Sequence, residues 1–283
     1  MIRVYYIAVL SCLFFCLAGC NESEKKNEAP WQHLKITDLA PSHSGNQPGT
    51  GLLKTINFNV YIFEIPAENV STLDDVWQML YFQPIRFNDY DAFGANSFSA
   101  GFGQIPMWNR IADVLQAADG KEAKRVSLLL ADGQANDVAI VVLDREQTVF
   151  HISGKGSMEG ATIGPGELAL RIRAEKIAGL RGVCKTDVLP VFTPPRRSTI
   201  PLLAARDKSG EFRFTSTGFS LKMSPGDFVF LGPETYIDDQ ITLGGLFFSK
   251  PQGSLFFSAL ERKLPEHKPA VRVFLLVCTS ITD

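Results

Sequence analysis

The residues of this chain that could carry metal or acid-base chemistry are few and scattered. Its four histidines are His33, His43, His151 and His267, and none has the i, i+4 partner that a zinc-binding helix would provide. Only His151 lies on a predicted strand, where we interpret it as a solvent-facing or hydrogen-bonded imidazole. The histidines therefore predict no metal centre.

Three short acidic or hydroxyl-rich motifs also lack the spacing that their chemistry requires. Residues 153–157 (Ser-Gly-Lys-Gly-Ser) have the composition of a phosphate loop, but the first glycine and the following helix are missing, so we interpret them as a hairpin turn. Asp74-Asp75 suits the start of a helix, and Asp238-Asp239 lacks the Asp/Asn-Gly spacing of a calcium loop. Because no Gly-x-Ser-x-Gly elbow occurs either, the sequence predicts no enzyme activity, cofactor or metal.

The amino-terminal residues have the pattern of an export signal. Arg3 precedes an almost wholly apolar run over residues 4–17, which is shorter than the roughly 20 residues that cross a bilayer. The run ends in Leu17-Ala18-Gly19-Cys20, which resembles the lipobox of bacterial lipoproteins. This resemblance implies a signal peptide over residues 1–19, cleavage between Gly19 and Cys20, a diacylglyceryl group on the Cys20 sulfur, and acylation of the new amino terminus by a fatty acid such as palmitate.

The residues after the lipobox predict where the lipid would hold the protein. Residues 20–53 are polar and are broken by Pro41 and Pro48, so we expect a lipidated amino terminus followed by a flexible tether. Asn21 differs from the aspartate that retains enterobacterial lipoproteins in the inner membrane. We therefore expect an outer-membrane protein that faces the periplasm and is held to the membrane through Cys20.

Composition limits the classes of partner. The chain has 28 basic and 30 acidic residues, a balance that does not attract nucleic acid or an anionic membrane surface. Its 45% hydrophobic content predicts a well-packed core. We expect the partner to be another envelope protein or a second copy of the chain.

Two cysteines remain in the part of the chain that is predicted to fold. Cys184 and Cys278 each lie in an apolar, strand-like run. In an oxidising compartment the two thiols could form a disulfide. The alternative is a pair of separate buried thiols that pack as small apolar groups.

Residues 54–122 are predicted to form a small α+β module. Its expected elements are a strand over 56–63, a helix over 73–81, strands over 85–90 and 97–102, and a helix over 106–120. The order is β-α-β-β-α, with both helices on one face of a three-stranded sheet. This order resembles the ring-building modules in the periplasmic parts of secretion-system rings and secretins.

Residues 123–283 are predicted to form a β-rich, sandwich-like domain. Many short candidate strands alternate with turn signals, and we interpret residues 240–248 as a strand and 271–281 as a central strand. The run Leu243-Gly244-Gly245-Leu246-Phe247-Phe248 before that last strand is similar to the end of the secretin domain, and residues 225–232 can take the place of the glycine-bearing hairpin before it. Because the flanking prolines of secretins are missing, the resemblance implies a diverged relative or accessory and not an outer-membrane channel.

Together these features predict a non-catalytic, lipid-anchored envelope protein with a structural or assembly role, accessory to a secretion or pilus system. A ligand-binding lipoprotein is the alternative, with an aromatic pocket near residues 93–102 and Tyr236. An envelope hydrolase is a third interpretation, which would require a nucleophile, a base and an oxyanion site.

The lipobox predicts that Cys20→Ala leaves an unprocessed precursor without lipid, because alanine has no sulfur for the diacylglyceryl group. Labelling cells with a radioactive fatty acid measures this directly: the wild type should carry label and Cys20→Ala should carry none. Cys16→Ala is the matched control and should remain labelled. Label on Cys20→Ala would show that the lipobox interpretation is wrong.

Overall fold

A computed structural model describes residues 54–195, 210–236, 241–249 and 269–282. The predicted signal peptide, Cys20 and the tether lie outside the described residues, as do Asp238-Asp239 and three of the four histidines. None of the helices in these ranges has the length and apolar content needed to cross a bilayer.

Strands make up most of the described chain. They are β1 (Thr55–Pro66), β2 (Arg86–Phe87), β3 (Phe98–Gln104), β4 (Lys121–Ala131), β5 (Ala135–Leu143), β6 (Gln147–Ile152), β7 (Met158–Ile163), β8 (Gly166–Lys176), β9 (Cys184–Thr193), β10 (Phe212–Arg213), β11 (Phe219–Met223), β12 (Asp227–Pro233) and β13 (Ala270–Ile281). The α-helices are α1 (Leu73–Met79), α2 (Tyr90–Ala95), α3 (Ile105–Ala117) and α4 (Leu243–Phe248), and a short 3-10 helix (Ala67–Thr72) precedes α1.

Five strands in the order β3-β12-β13-β1-β4 form what we call the central sheet. Its middle strand, β13, is buried continuously from Val273 to Cys278 because both of its faces are covered. It pairs antiparallel with β1 from Ile56 opposite Ile281 to Pro66 opposite Ala270. The prediction that the last apolar run is a central strand is confirmed.

Each face of the central sheet packs against a different layer. On one face, Tyr61 and Phe63 of β1 form a core with Trp108 and Ile111 of α3 and with residues of α1. On the other face, Phe58 and Val60 of β1, which point the opposite way, pack toward the second sheet. The molecule therefore has three layers: helices, central sheet and outer sheet.

The outer sheet has the order β2-β11-β9-β8-β5, with β10 added to β9. Its outer face is polar and is held by Arg171, whose guanidinium donates to both carboxylate oxygens of Asp137 at 2.7 Å and to those of Glu211 at 2.7 and 2.9 Å. These bonds lower the pKa of Glu211 below its ordinary value, because they favour the carboxylate over the protonated form. The network joins β5 and β8 to the segment that leads into β10.

The expectation of an α+β, β-rich sandwich-like fold is confirmed. The prediction that residues 54–122 form a three-stranded sheet of their own is wrong. β1 lies between β13 and β4, and β3 pairs with β12. The physical reason is that β1 carries apolar side chains on both faces, and a sheet covered on both faces needs partners from elsewhere in the chain. The boundary between the two predicted parts of the chain, between residues 122 and 123, therefore lies inside the central sheet.

Two helices replace predicted strands or turns. α2 forms where a strand and a turn were expected, because Asp89 accepts a hydrogen bond from Ala92 N at 2.9 Å and caps the helix. α4 forms within the predicted strand 240–248, because Thr242 Oγ1 accepts from Gly245 N at 3.1 Å. The expected hairpin near Gly226 is instead a corner that carries the chain from β11 in the outer sheet to β12 in the central sheet.

Gly103 offers a test of how closely β3 and β12 are packed. A Cβ at this position would overlap the Phe228 ring, which is buried and cannot turn into solvent. We expect Gly103→Ala to lower the free energy of unfolding by about 1–3 kcal/mol, measured by urea denaturation. Gly154→Ala is the control, since its nearest neighbour would be Asp89 Oδ2 at 3.6 Å. Equal stabilities for the two variants would contradict the packing.

Candidate functional site

The aromatic residues that the sequence suggested for a ligand pocket lie in the core. Phe93, Phe98 and Phe102 are buried, and their neighbours fill the space around them. The ring centroids of Phe93 and Phe98 are 5.5 Å apart, and those of Phe98 and Phe248 are 4.8 Å apart. Phe93, Phe98 and Phe102 therefore pack against other core residues and do not line a pocket among the described residues, and Tyr236, the other residue of the predicted pocket, is half-buried.

Three aromatic side chains just before this region are exposed instead. Tyr81 is 54% exposed, Phe82 is 43% exposed and Tyr90 is 67% exposed. All three lie in one connection between α1 and the first turn of α2. We call these three residues the aromatic surface.

Backbone hydrogen bonds fix one end of the aromatic surface. Tyr81 N donates to Phe102 O at 2.9 Å, and Phe102 N donates to Tyr81 O at 2.8 Å, so Tyr81 is attached to the edge strand β3. Ile85 N donates to Phe82 O at 3.0 Å and closes a turn that contains Pro84. Tyr81 and Phe82 are therefore exposed on a defined backbone.

The other end is fixed by Asn88 and by the cap of α2. Asn88 N donates to Gly218 O at 2.9 Å, and its side-chain amide donates to Thr215 O at 2.9 Å. The Tyr90 ring meets the Phe87 ring edge to face, with centroids 5.3 Å apart. These contacts attach the aromatic surface to residues that lead into the outer sheet as well as to the central sheet.

A continuous series of ring contacts connects Tyr90 with the middle of the core. Phe87 lies 4.7 Å from Phe93 by ring centroids, and Phe93 continues through Phe98 to Phe248. Phe248 in turn lies 6.1 Å from Phe274 of β13. The exposed Tyr90 ring therefore rests on a series of packed aromatic rings, whereas Tyr81 and Phe82 are held through their backbone.

The residues around these rings share part of the composition of a protein interface. Gln83, Pro84 and Arg86 are also exposed, and residues 81–91 contain no lysine or glutamate but do contain Asp89 and the exposed Asp91. Aromatic residues and arginine are enriched at protein interfaces, whereas lysine, glutamate and aspartate are depleted there. The rings and Arg86 therefore fit an interface composition, and Asp91 does not.

The predicted hairpin turn at residues 153–157 is confirmed, with Ser153 N donating to Ser157 O at 2.9 Å. Ser157 Oγ donates to Glu159 Oε1 at 3.3 Å, and a hydrogen bond from Ser153 lowers the pKa of the exposed Glu159 carboxyl. His151 lies opposite Glu159 in this hairpin.

His151 differs from both environments expected for it. It is buried, its ring lies 5.6 Å from Phe212 and 5.2 Å from Phe214 by centroids, and its Nδ1 has no hydrogen-bond partner among the described residues. It is therefore a packed ring, neither facing solvent nor fully hydrogen-bonded. No group of three or more metal-ligating side chains occurs in the described ranges.

The two cysteines for which the sequence left a disulfide and separate buried thiols open lie in the same core. Cys184 and Cys278 are fully buried and are present as free thiols.

Asp75, one of the two aspartates expected at a helix start, lies in an open groove between α1 and α3 that is lined mainly by polar residues. Sequence reasoning missed the aromatic surface, whose only signal was the density of aromatic residues between 81 and 90.

Comparison with known proteins finds only weak structural similarity. No protein-family model and no curated protein matches the chain. The InvG secretin domain β-barrel of the Salmonella SPI-1 injectisome is similar at 14% identity and a TM-score of 0.23, covering 81% of this chain and 64% of that one. The V. cholerae type IV competence pilus secretin PilQ is similar at 10% identity and a TM-score of 0.22, covering 82% of this chain and 61% of that one. The chain thus spans less than two thirds of either secretin, and these scores do not establish a shared fold.

The exposed rings and their buried support should respond differently to truncation. We expect Phe93→Ala to lower the free energy of unfolding by about 3–5 kcal/mol, because it opens a cavity among packed rings. Tyr90→Ser should cost about 1 kcal/mol or less, because most of this side chain is already in water. Urea denaturation of both variants measures the difference, and a large cost for Tyr90→Ser would show that its ring serves the fold.

Proposed function

We propose that this protein is a non-catalytic, lipid-anchored envelope protein with a structural or assembly role, and that the aromatic surface is its contact with another envelope protein. The observation that carries the proposal is the exposure of Tyr81, Phe82 and Tyr90 on a backbone fixed at both ends by hydrogen bonds. The lipid on Cys20 would supply the attachment to the membrane.

Rigidity is what favours a docking role for these rings. Binding between two proteins is weaker when side chains and loops must become ordered at the interface, because their ordering costs entropy. Here the backbone of Tyr81 is already paired with Phe102, and the Tyr90 ring already rests on Phe87. Aromatic side chains held in this way are the residue types that dominate binding energy at protein interfaces.

The chemistry of the surface indicates what the partner presents. Three rings require an apolar patch, and the exposed Arg86 between Phe82 and Tyr90 favours a carboxylate beside that patch. The sequence resemblance of residues 243–281 to the end of secretin domains favours a partner that belongs to a secretion or pilus system.

The tether limits where this partner can be. A protein anchored through Cys20 on the periplasmic face of the outer membrane would therefore meet partners close to that membrane. The membrane anchor and the aromatic surface together would hold an envelope component in place without catalysis.

Site-specific photocrosslinking in intact cells tests the contact. A photoreactive phenylalanine analogue at Phe82 or Tyr90 preserves an aromatic ring and should yield one discrete crosslinked envelope protein, which mass spectrometry then identifies. The same analogue at Leu180, which is 47% exposed in the connection between β8 and β9, is the matched control and should not yield it. The analogue at Gln83 should lose the product when Phe82→Ser and Tyr90→Ser are combined.

The outcomes separate the alternatives. A secretin or pilus component joined at Phe82 and Tyr90 supports the proposed role, whereas a second copy of the chain would assign the surface to self-association. An identical product from Leu180, or no product from either aromatic position, would contradict a docking role for the aromatic surface.

A further inference from the structure

Cys184 and Cys278 lie on opposite sides of the core between the two sheets. Cys184 begins β9 of the outer sheet, and Cys278 lies near the end of β13 in the central sheet. Neither residue has any exposed surface. Their positions in sequence are distant, so the fold itself brings them together.

The corner between β11 and β12 sets the separation of the two cysteines. Cys184 Sγ lies 3.5 Å from Met223 O, at the end of β11. Gly226 N, immediately before β12, donates to Cys278 O at 2.8 Å. Both cysteines are thus attached to one short corner, where the two thiols lie close enough for each to shift the pKa of the other.

The two thiols have different acidities because of this contact. The Cys278 thiol donates to the Cys184 sulfur and lowers the pKa of Cys184. Proximity to that sulfur and burial raise the pKa of Cys278. This difference in acidity belongs to the closed core, in which both thiols are buried.

We propose that Cys184 and Cys278 form a disulfide that joins the central sheet to the outer sheet in the exported protein. The pairing of facing side chains on two packed sheets favours it, and so does an oxidising compartment, which the lipobox resemblance implies. The free thiols described above are the reduced form of this bridge.

Bridge formation requires an oxidant, which we assign to the active-site disulfide of a thiol oxidase in the export compartment. The thiolate of one cysteine attacks that disulfide, forms a mixed disulfide and releases one thiolate of the oxidase. The thiolate of the other cysteine then attacks the sulfur of the first, and the second oxidase thiolate leaves. The two cysteines lose two electrons and two protons, and the oxidase is reduced to its dithiol.

Burial fixes when this reaction occurs and what it does. A large oxidase cannot reach two fully buried thiols, so the bridge forms while the sheets are still closing. Once formed, it links β13 to β9 across a loop of residues 185–277 and restricts the unfolded chain. It would keep the carboxyl-terminal strand in place after folding.

Thiol trapping of the full-length protein tests the proposal. Cells are quenched in acid, and the protein is purified from the envelope, denatured and alkylated without reductant. Peptide mapping should find Cys184 and Cys278 unalkylated and joined, and both should be alkylated after reduction. Cys278→Ser is the positive control, because it leaves Cys184 as a single thiol that must be alkylated. Alkylation of both cysteines in the unreduced wild type, or a disulfide from either one to another molecule, would overturn the bridge.

Thermal unfolding gives a second measurement that does not depend on chemical labelling. Reductant should lower the Tm of the wild type by about 10 °C, from the typical stabilisation by a disulfide in a chain of this size. The double variant Cys184→Ala with Cys278→Ala should show the same Tm with and without reductant. A wild-type Tm that reductant leaves unchanged would contradict a stabilising bridge.

Discussion

β13 contributes side chains to both cores of this protein, and the other layers depend on its pairing with β1. Val273, Leu275 and Val277 face the helices, whereas Phe274, Leu276 and Cys278 face the outer sheet. β1 and β13 stand near opposite ends of the folded chain, and β13 also pairs with β12. The helices and the outer sheet can pack fully only once this long-range pairing exists, because each of them covers one face of the same strand.

The aromatic surface depends on the same strand through its support. Tyr90 contacts Phe87, and the series of rings ends at Phe274 of β13. Tyr81 is attached to β3, whose other neighbour, β12, is itself bonded to β13. The packed layer beneath them holds the Tyr90 ring against Phe87 and the Tyr81 backbone against β3. The surface can thus be both apolar and ordered, as a docking site requires.

The sequence pattern predicted the strands and helices whose formation depends on residues that are close together in the sequence. The apolar alternation of β1, the helical period of α3 and the continuous apolar run of β13 each determine their own structure. The sequence did not reveal that β1 pairs with β13, because the partner lies at the far end of the chain. α4 was missed because the apolar run 243–248 fits a strand or a buried helix equally well, and the Thr242 cap decides between them.

The candidate site was harder to predict, because exposure of a ring depends on its neighbours in space. Tyr81 continues the helical period of α1, which predicted a buried position, yet the helix ends at Met79 and Leu80 is extended. Phe93 and Phe98 lie in a glycine-rich run typical of a loop, yet rings from α4 and β11 bury them. A sequence pattern identifies which residues are aromatic but not which of them the distant strands will cover. The proposed Cys184–Cys278 bridge follows the same logic: two apolar runs each predicted a buried cysteine, and only the fold attaches both to the corner at Met223 and Gly226.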